Sequence, residues 1–431
     1  MVTQKNVFRD TIILGFAVFS MYFGAGNIIF PPYLGLISSS DYELSFISYF
    51  IADIGFATIA MFALLKVGGN IDNLIYKIGK LSGTVLMAAI ILCIGPLIAL
   101  PRTGATTYEM MIVPMFGSSL TNSILTSIVY YGLIMFVVFN PVTMIRILGR
   151  ILTPILFISL LALIIKGIVT PIGEISINQN PDDLFFNGLI LGYQTLDVLA
   201  ALAFGIIILK IVRSQGYKDE KTVFKMVGFA SILAAFGIMI VYFGLAYLGA
   251  TTSSMYQGDI EKAVLLNSII NHLFGDYGNI LLGTVIFLAC FTTGAALVSV
   301  TSEYFSKISE GKISYKQLVV VVTLYNIVVT NVGLEHIINF VVPILTVVYP
   351  VAIVLVVLVF FDKYINNDNV YKMSALGAVI YSLLDVFTKN TESINLVLQT
   401  LPFAKEGLGW VVPALVFAVI GYFIKSKKSE H

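Results

Sequence analysis

Three short stretches of this 431-residue chain place polar groups inside apolar surroundings. The first is MYFGAGNIIFPP, Met21 to Pro32, whose glycines, asparagine and proline pair are poor components of a continuous helix. Unwinding at Gly24, Ala25, Gly26 and Asn27 leaves carbonyls at the end of one half-helix, suited to a cation or an ammonium. It leaves free N–H groups at the start of the next, suited to a carboxylate. A zwitterion with a sodium ion beside it matches both ends. The second stretch, GLILGYQTLDVLAALAFG, sets Gly188, Gly192 and Gly205 around the polar cluster Tyr193, Gln194, Thr195 and Asp197. In the third, ACFTTGAALVS, residues Ala289, Thr292 and Thr293 are spaced i, i+3, i+4 on one helical face and offer hard oxygen ligands to an alkali cation.

Other chemistry is sparse. His272, His336 and His431 are scattered without metal-ligand spacing, and no serine or threonine stands beside a histidine in a nucleophile motif. There is no glycine-rich phosphate loop ending in Gly-Lys-Ser/Thr, so any pumping draws on an ion gradient rather than on nucleotide hydrolysis. Cys93 and Cys290 sit in apolar runs as small hydrophobes, with no disulfide framework.

The elements that must position these groups are membrane helices. The chain is 58% hydrophobic and 11% charged, with a mean hydropathy of +0.95, where a soluble domain carries about 25% charged residues. A polytopic, all-α membrane protein follows. Taking roughly 20 apolar residues per span, twelve spans are read near 11–37, 43–65, 82–103, 119–139, 144–169, 184–210, 222–250, 277–304, 315–332, 337–361, 371–388 and 407–424. The first run exceeds signal-peptide length and is expected to remain as a membrane helix. Basic residues alternate between loops. Of the 25 Lys and Arg, only Arg102, Lys166, Lys262, Lys389 and Lys405 fall on one side, which makes both termini cytoplasmic by the positive-inside rule. No hydrophilic stretch is long enough for a soluble domain, and the near-zero net charge of +1 gives no support for a nucleic-acid partner. The whole of 1–431 is read as a single transmembrane domain.

The first and sixth spans run in opposite directions, lie five spans apart and are both interrupted. That is the signature of a five-plus-five inverted repeat, about 9–170 and 184–361, with a ligand between the halves and two extra helices over 371–424. Charges within spans need a partner or a role. Asp197, beside the second break, could hold an ammonium indirectly, tune a cation site or cap half-helix N–H groups. Asp53 is read as a structural hydrogen-bond acceptor within the bundle, Asp385 as a local packing or interface group, and Arg102 with Glu109 as an outer gate or surface pair.

FRDTIILGFAVFSMYFGAGNIIFPPYLG, GPLIALPRTGATTYE, GYQTLDVLAALAFG and ACFTTGAALVS, in that order on the first, third, sixth and eighth spans, resemble the bacterial branched-chain amino acid:cation symporter family. The resemblance covers essentially the whole chain. It implies the LeuT-type fold of the amino acid permease superfamily, a bacterial cell membrane location, and alternating-access import of leucine, isoleucine and valine with sodium as coupling ion and no cofactor. It also implies that Gly24, Ala25, Gly26 and Asn27 contribute backbone to the substrate carboxylate while Tyr193, Gln194, Thr195 and Asp197 face its amino group and side chain, and rings near Phe23 and Tyr193 are read as closing over the aliphatic part of the substrate. Ser20, Phe23, Ala289, Thr292 and Thr293 would hold the sodium. With no asparagine in the seventh span, a second sodium site is not expected. The rival readings are a proton-coupled or uncoupled permease of the same fold, with Asp197 as proton carrier, and, from another class, an intramembrane enzyme.

Overall fold

A computed structural model describes residues 6–139, 152–178, 184–256, 260–365, 367–388, 398, 400–404 and 407–424, apart from the side chains at 276, 277, 279, 281, 282, 339, 341 and 342. Among the described residues every regular element is helical. Helices α1 (Val7–Tyr22) and α2 (Ala25–Ser38) form the first interrupted run. They are followed by α3 (Tyr42–Phe50), a π-helical turn at Ile51–Gly55 and α4 (Phe56–Lys66). The short α5 (Ile71–Ile75) leads into a bent run of α6 (Lys80–Leu92), a π turn at Cys93–Leu97, α7 (Ala99–Thr107), a second π turn at Tyr108–Ile112 and α8 (Val113–Phe116). Then come α9 (Leu120–Val138), α10 (Thr153–Val169) and a second interrupted run, α11 (Leu184–Tyr193) and α12 (Asp197–Ser214). The remainder is α13 (Glu220–Ala250), α14 (Lys262–Phe274), α15 (Asp276–Ile308), α16 (Tyr315–Val329), α17 (Leu334–Phe360), α18 (Asn369–Thr388) and α19 (Val411–Phe423).

Helix occupies every range where a span was expected, although residues 144–151 of the fifth lie outside the described residues. So do Lys5, Arg146, Arg150, Lys389, Lys405, Lys425, Lys427 and Lys428 of the orientation argument. Nine helical stretches among the described residues are long and apolar enough to cross a bilayer. One boundary differs instructively. The third span was expected to end near 103, but its helical course runs over Lys80–Phe116. Polar Pro101-Arg-Thr-Gly-Ala-Thr-Thr107 depresses hydropathy there, yet every residue of α7 is buried. Two of its three hydroxyls are satisfied inside the protein, Thr103 donating to Leu100 O at 2.6 Å and Thr107 to Thr103 O at 2.9 Å, while the buried Thr106 hydroxyl has no partner.

Burial separates central helices from lipid-facing ones. In its most apolar stretch Leu184–Ser214 is 89% buried and Gly283–Ile308 is 83% buried, against 28% for Tyr315–Val332 and 33% for Leu120–Val138. The broken run α11–α12 and helix α15 therefore stand at the centre, while α9 and α16 show Phe136 and Val328 to the outside. Small residues let the central helices approach closely. Gly35 of α2 faces the backbone of Ala246, Gly249 of α13 faces that of Pro32, and Gly188 and Gly192 of α11 face Ser45 and Tyr49 of α3. Gly188 and Gly192 thus serve packing against α3, and Gly205 packs on Leu64 and Met61; none of the three makes the second break.

Candidate functional site

The first break is short. Helix α1 ends at Tyr22, and Phe23 (φ −76, ψ 85) and Gly24 (φ −110, ψ −161) carry the chain in extended conformation into α2. Ala25, Gly26 and Asn27 are already the first turn of α2, so the unwound part is narrower than the Gly24–Asn27 stretch suggested. Asn27 anchors the entry by accepting the Gly24 N–H on Oδ1 at 3.1 Å. Gly24 is required for space: a Cβ there would stand 3.1 Å from Thr293 Cγ2 and 3.2 Å from its hydroxyl.

That close approach assembles a cage of oxygens. Thr292 Oγ1 lies 2.9 Å from Ala289 O and 3.3 Å from Ser20 O, and Thr293 Oγ1 lies 3.3 Å from both Ser20 O and Phe23 O. Ser20, Phe23, Ala289 and Thr292 are fully buried and Thr293 nearly so. Three of these separations are long for O–H···O hydrogen bonds, which favour 2.5–3.0 Å. They suit neighbouring ligands of one ion, because oxygens about 2.3–2.6 Å from a hard cation and at right angles stand about 3.3–3.7 Å apart. The structure thus brings together all five residues expected to hold sodium. The Ser20 side chain is not part of the cage, since its hydroxyl donates to Ala17 O at 2.9 Å and only its carbonyl contributes.

The second break is made differently. After α11 the N–H groups of Thr195 and Leu196 reach back three residues, to Gly192 O and Tyr193 O at 3.3 Å each. Leu196 then turns the chain with φ 74, ψ 9, a left-handed conformation unusual for a residue with a side chain. Asp197 opens α12, where a carboxylate is favoured by the helix dipole.

A buried polar network joins the two breaks. Asn27 Nδ2 donates to Asp197 Oδ2 at 2.6 Å and also to the Tyr242 hydroxyl on α13. The single Thr195 hydroxyl proton lies within reach of Asp53 Oδ1 at 2.8 Å and Gly192 O at 2.7 Å. Asp53, fully buried, sits in the π-helical turn at Ile51–Gly55, and its Oδ2 has no partner. Its expected role as an acceptor within the bundle is met, with a specific partner on the broken helix.

Arg102 is a correction. Expected at an outer surface with Glu109, it is 4% exposed and lies in the middle of the Lys80–Phe116 run. A kink at Gly95 (φ −90, ψ −123) beside Pro96 redirects the chain before α7 carries Arg102 inward. Its Nη1 donates to Gln194 O at 2.8 Å and its Nη2 to Thr195 O at 3.1 Å, the carbonyls freed by the second break. Glu109 instead accepts the Leu334 N–H at 3.1 Å. Sequence reasoning misplaced Arg102 because hydropathy marks lipid exposure, and α7 is polar inside the protein. The missed signal was the arginine itself, in a helix-compatible stretch continuing towards Phe116. Tyr242, the partner of Asn27, carried no local signal at all.

Met21, Tyr22, Gly24, Ala25, Asn27, Arg102, Thr195, Asp197 and Thr293 all line one cavity of about 20 Å³. That is room for about one water, whereas small-molecule pockets run to roughly 300–1,000 Å³. The helices must part to admit an organic molecule. Gly26 lies behind this cavity, against Arg102 and Phe30. The side chains of Tyr193 and Gln194 are not brought to it. They line a separate cavity of about 190 Å³ with Tyr349, Tyr381, Asp385 and Trp410, and Gln194 reaches the central site only through its carbonyl. Asp385 accordingly lines the cavity at the end of α11 and not the one between the breaks.

A family model described as "Branched-chain amino acid transport protein" matches residues 7–428. The chain is 35% identical over 425 residues to the branched-chain amino acid permease BraB of Bacillus subtilis, covering 96% of this chain and 95% of that one. It is 34% identical over 417 residues to the branched-chain amino acid permease BrnQ of Escherichia coli K12, covering 96% and 94%. Among solved structures it resembles a Na+-coupled sialic acid symporter in a substrate-bound outward-open state, with TM-score 0.62, 13% identity and coverage of 96% and 89%. It also resembles Mhp1, a nucleobase-cation-symport-1 family transporter, with TM-score 0.58, 13% identity and coverage of 97% and 94%. At this identity the structural likenesses establish a shared all-helical fold.

Proposed function

The chain belongs to the branched-chain amino acid transport protein family, and from that premise we propose that it carries leucine, isoleucine and valine into the cell together with sodium, by alternating access. It is a permease and not an enzyme, as its relatives are. The transport of branched-chain amino acids follows from the family. The sodium coupling rests chiefly on one observation, the Thr292 and Thr293 hydroxyls set 3.3 Å from the Ser20 and Phe23 carbonyls, with Ala289 O 2.9 Å from Thr292, a group of five neutral oxygens suited to one small cation. The cation bridges α1 and α15, so its binding favours the arrangement in which the first break is held against α15. The substrate sits between the breaks, with its carboxylate at the first turn of α2 and its ammonium towards Thr195 and Asp197. Discrimination among the three substrates is weak, because a methylene in an apolar pocket is worth only about 1–3 kcal/mol.

The same reading gives twelve crossings in two inverted halves of five, plus α18 and α19, in a bacterial cell membrane with both termini cytoplasmic. Matched breaks in the first and sixth runs, meeting at one polar network, support it. A proton-coupled mechanism is the second reading, favoured by the two buried carboxyls Asp53 and Asp197 at the second break.

Leucine uptake into proteoliposomes, driven in turn by a sodium and by a proton gradient, separates these readings. Sodium-driven uptake, inhibited by isoleucine and valine but not by alanine, is expected. Uptake driven only by protons transfers the coupling role to the carboxyls. No uptake with either gradient contradicts the transport reading for this chain.

A further inference from the structure

Arg102 is a buried cation whose donors are only partly used. Its guanidinium has five N–H groups; Nη1 and Nη2 each serve one backbone carbonyl, and Nε has no partner. The ion pairs found among the described residues all lie elsewhere. Such a group is costly to hold in a membrane interior and marks a functional position. Directly against it lies the first turn of α2, whose leading N–H groups have no acceptor within the helix. Gly26 permits this approach, since a Cβ there would meet Arg102 Nη2 at 2.9 Å. Two sets of donors, a helix N-terminus and a guanidinium, therefore face the same small cavity beside Gly24 and Ala25. Planar bidentate acceptors are what guanidinium groups recognise best.

We infer that Arg102 is a specificity-determining residue that binds the substrate's α-carboxylate, in concert with the first turn of α2. The inference rests on the substrate placement proposed above and adds the charged partner that backbone groups alone do not supply. The orientation is consistent with the opposite side of the cavity, where Asp197, held by Asn27, places its carboxyl oxygens towards the ammonium. Because Arg102 also holds Gln194 O and Thr195 O, carboxylate binding acts on the second break as well as the first. A carboxylate drawn to Nε loads the same side chain that anchors the end of α11.

The test compares leucine with leucinamide, which keeps the ammonium and side chain but lacks the carboxylate, in binding to the purified full-length protein. Wild type is expected to prefer leucine by about 10- to 100-fold, the range of a charged hydrogen-bonded contact. In Arg102→Gln that preference collapses: leucine weakens by this factor while leucinamide changes by less than about threefold. Arg102→Lys, which keeps the charge without the planar fork, falls between them. Gly26→Ala retains the arginine and its charge but crowds Nη2, so it serves if the Arg102 variants do not fold. It too is expected to weaken leucine selectively. Equal loss of leucine and leucinamide in folded variants would show that Arg102 merely supports the second break, and would overturn the inference while leaving the transport reading intact. A wild-type protein that binds no branched-chain amino acid would instead overturn the placement on which the inference rests.

Discussion

The two helix breaks meet at one network but are built by opposite means. At the first, Gly24 adopts ordinary extended backbone and matters because it lacks a side chain, which lets Thr293 come within van der Waals contact. At the second, Leu196 keeps a side chain that is 1% exposed and accepts a left-handed φ of 74, at a cost on the order of 1–3 kcal/mol. The first break yields carbonyl oxygens that lie 3.3 Å from the Thr292 and Thr293 hydroxyls. The second yields carbonyls held by an arginine and a helix start carrying a carboxylate. A glycine break thus leaves room for a neighbouring helix, whereas a leucine break is pinned by its own packing. The strain at Leu196 persists because burial of its side chain and the Arg102 contacts to Gln194 and Thr195 fix the turn from both sides.

This contrast can be broken at either end. The largest effect is expected from Gly26→Leu, which drives a bulky side chain into Arg102 and Phe30 and should abolish leucine binding while membrane insertion is retained. Normal leucine affinity in that variant, measured on purified protein, would remove the first turn of α2 from the site. Next, Leu196→Ala should cost about 2–5 kcal/mol through lost burial. Leu196→Gly should cost about 1 kcal/mol less than the alanine change, because glycine has no left-handed penalty. Thermal unfolding in detergent reads both, and a glycine variant less stable than the alanine variant would contradict a strained break. Gly24→Ala offers the mirror case, with no φ penalty and only the Thr293 contact to relieve.

The smallest effect belongs far from both breaks. At the end of α17, burial pushes the Asp362 carboxyl up, but hydrogen bonds from Lys77 and Tyr371 and the charges of Lys77 and Lys66 hold it below the usual carboxylate range. A depressed folded value means that the pair stabilises above the ordinary carboxylate range, and that this contribution is lost as pH falls through the held-down value. With the Asp362 side chain 39% exposed, solvent screening limits the pair to about 0–1 kcal/mol. Asp362→Asn should lower the unfolding temperature slightly at neutral pH, and the difference from wild type should vanish in acid. A difference that grows in acid would reverse the assignment.

What the sequence made legible was local. Apolar runs marked the helices, the glycines and prolines marked the first break, and the i, i+3, i+4 spacing of Ala289, Thr292 and Thr293 put three cage members on one face. What stayed hidden depended on packing between distant segments. No pattern around Leu196 distinguishes a left-handed leucine from a helical one, so the three nearby glycines looked like the hinge and proved to be contact points for α3 and α4. Arg102 looked peripheral because polar α7 faces protein rather than lipid. The resemblance carried Tyr193 and Gln194 into the site with the rest of the polar cluster, but both line another cavity at the end of α11. The Asn27 to Tyr242 contact joins helices whose pairing nothing in either segment specifies.

The central claim is that the first break and α15 together bind the ion that drives transport. Its most direct test is a sodium titration of leucine uptake in proteoliposomes holding wild type or the Thr292→Ala, Thr293→Ala double variant. The account predicts that wild-type uptake rises with sodium and saturates, while the variant, still folded and able to bind leucine weakly, loses sodium stimulation. A double variant with the same sodium dependence as wild type would contradict it.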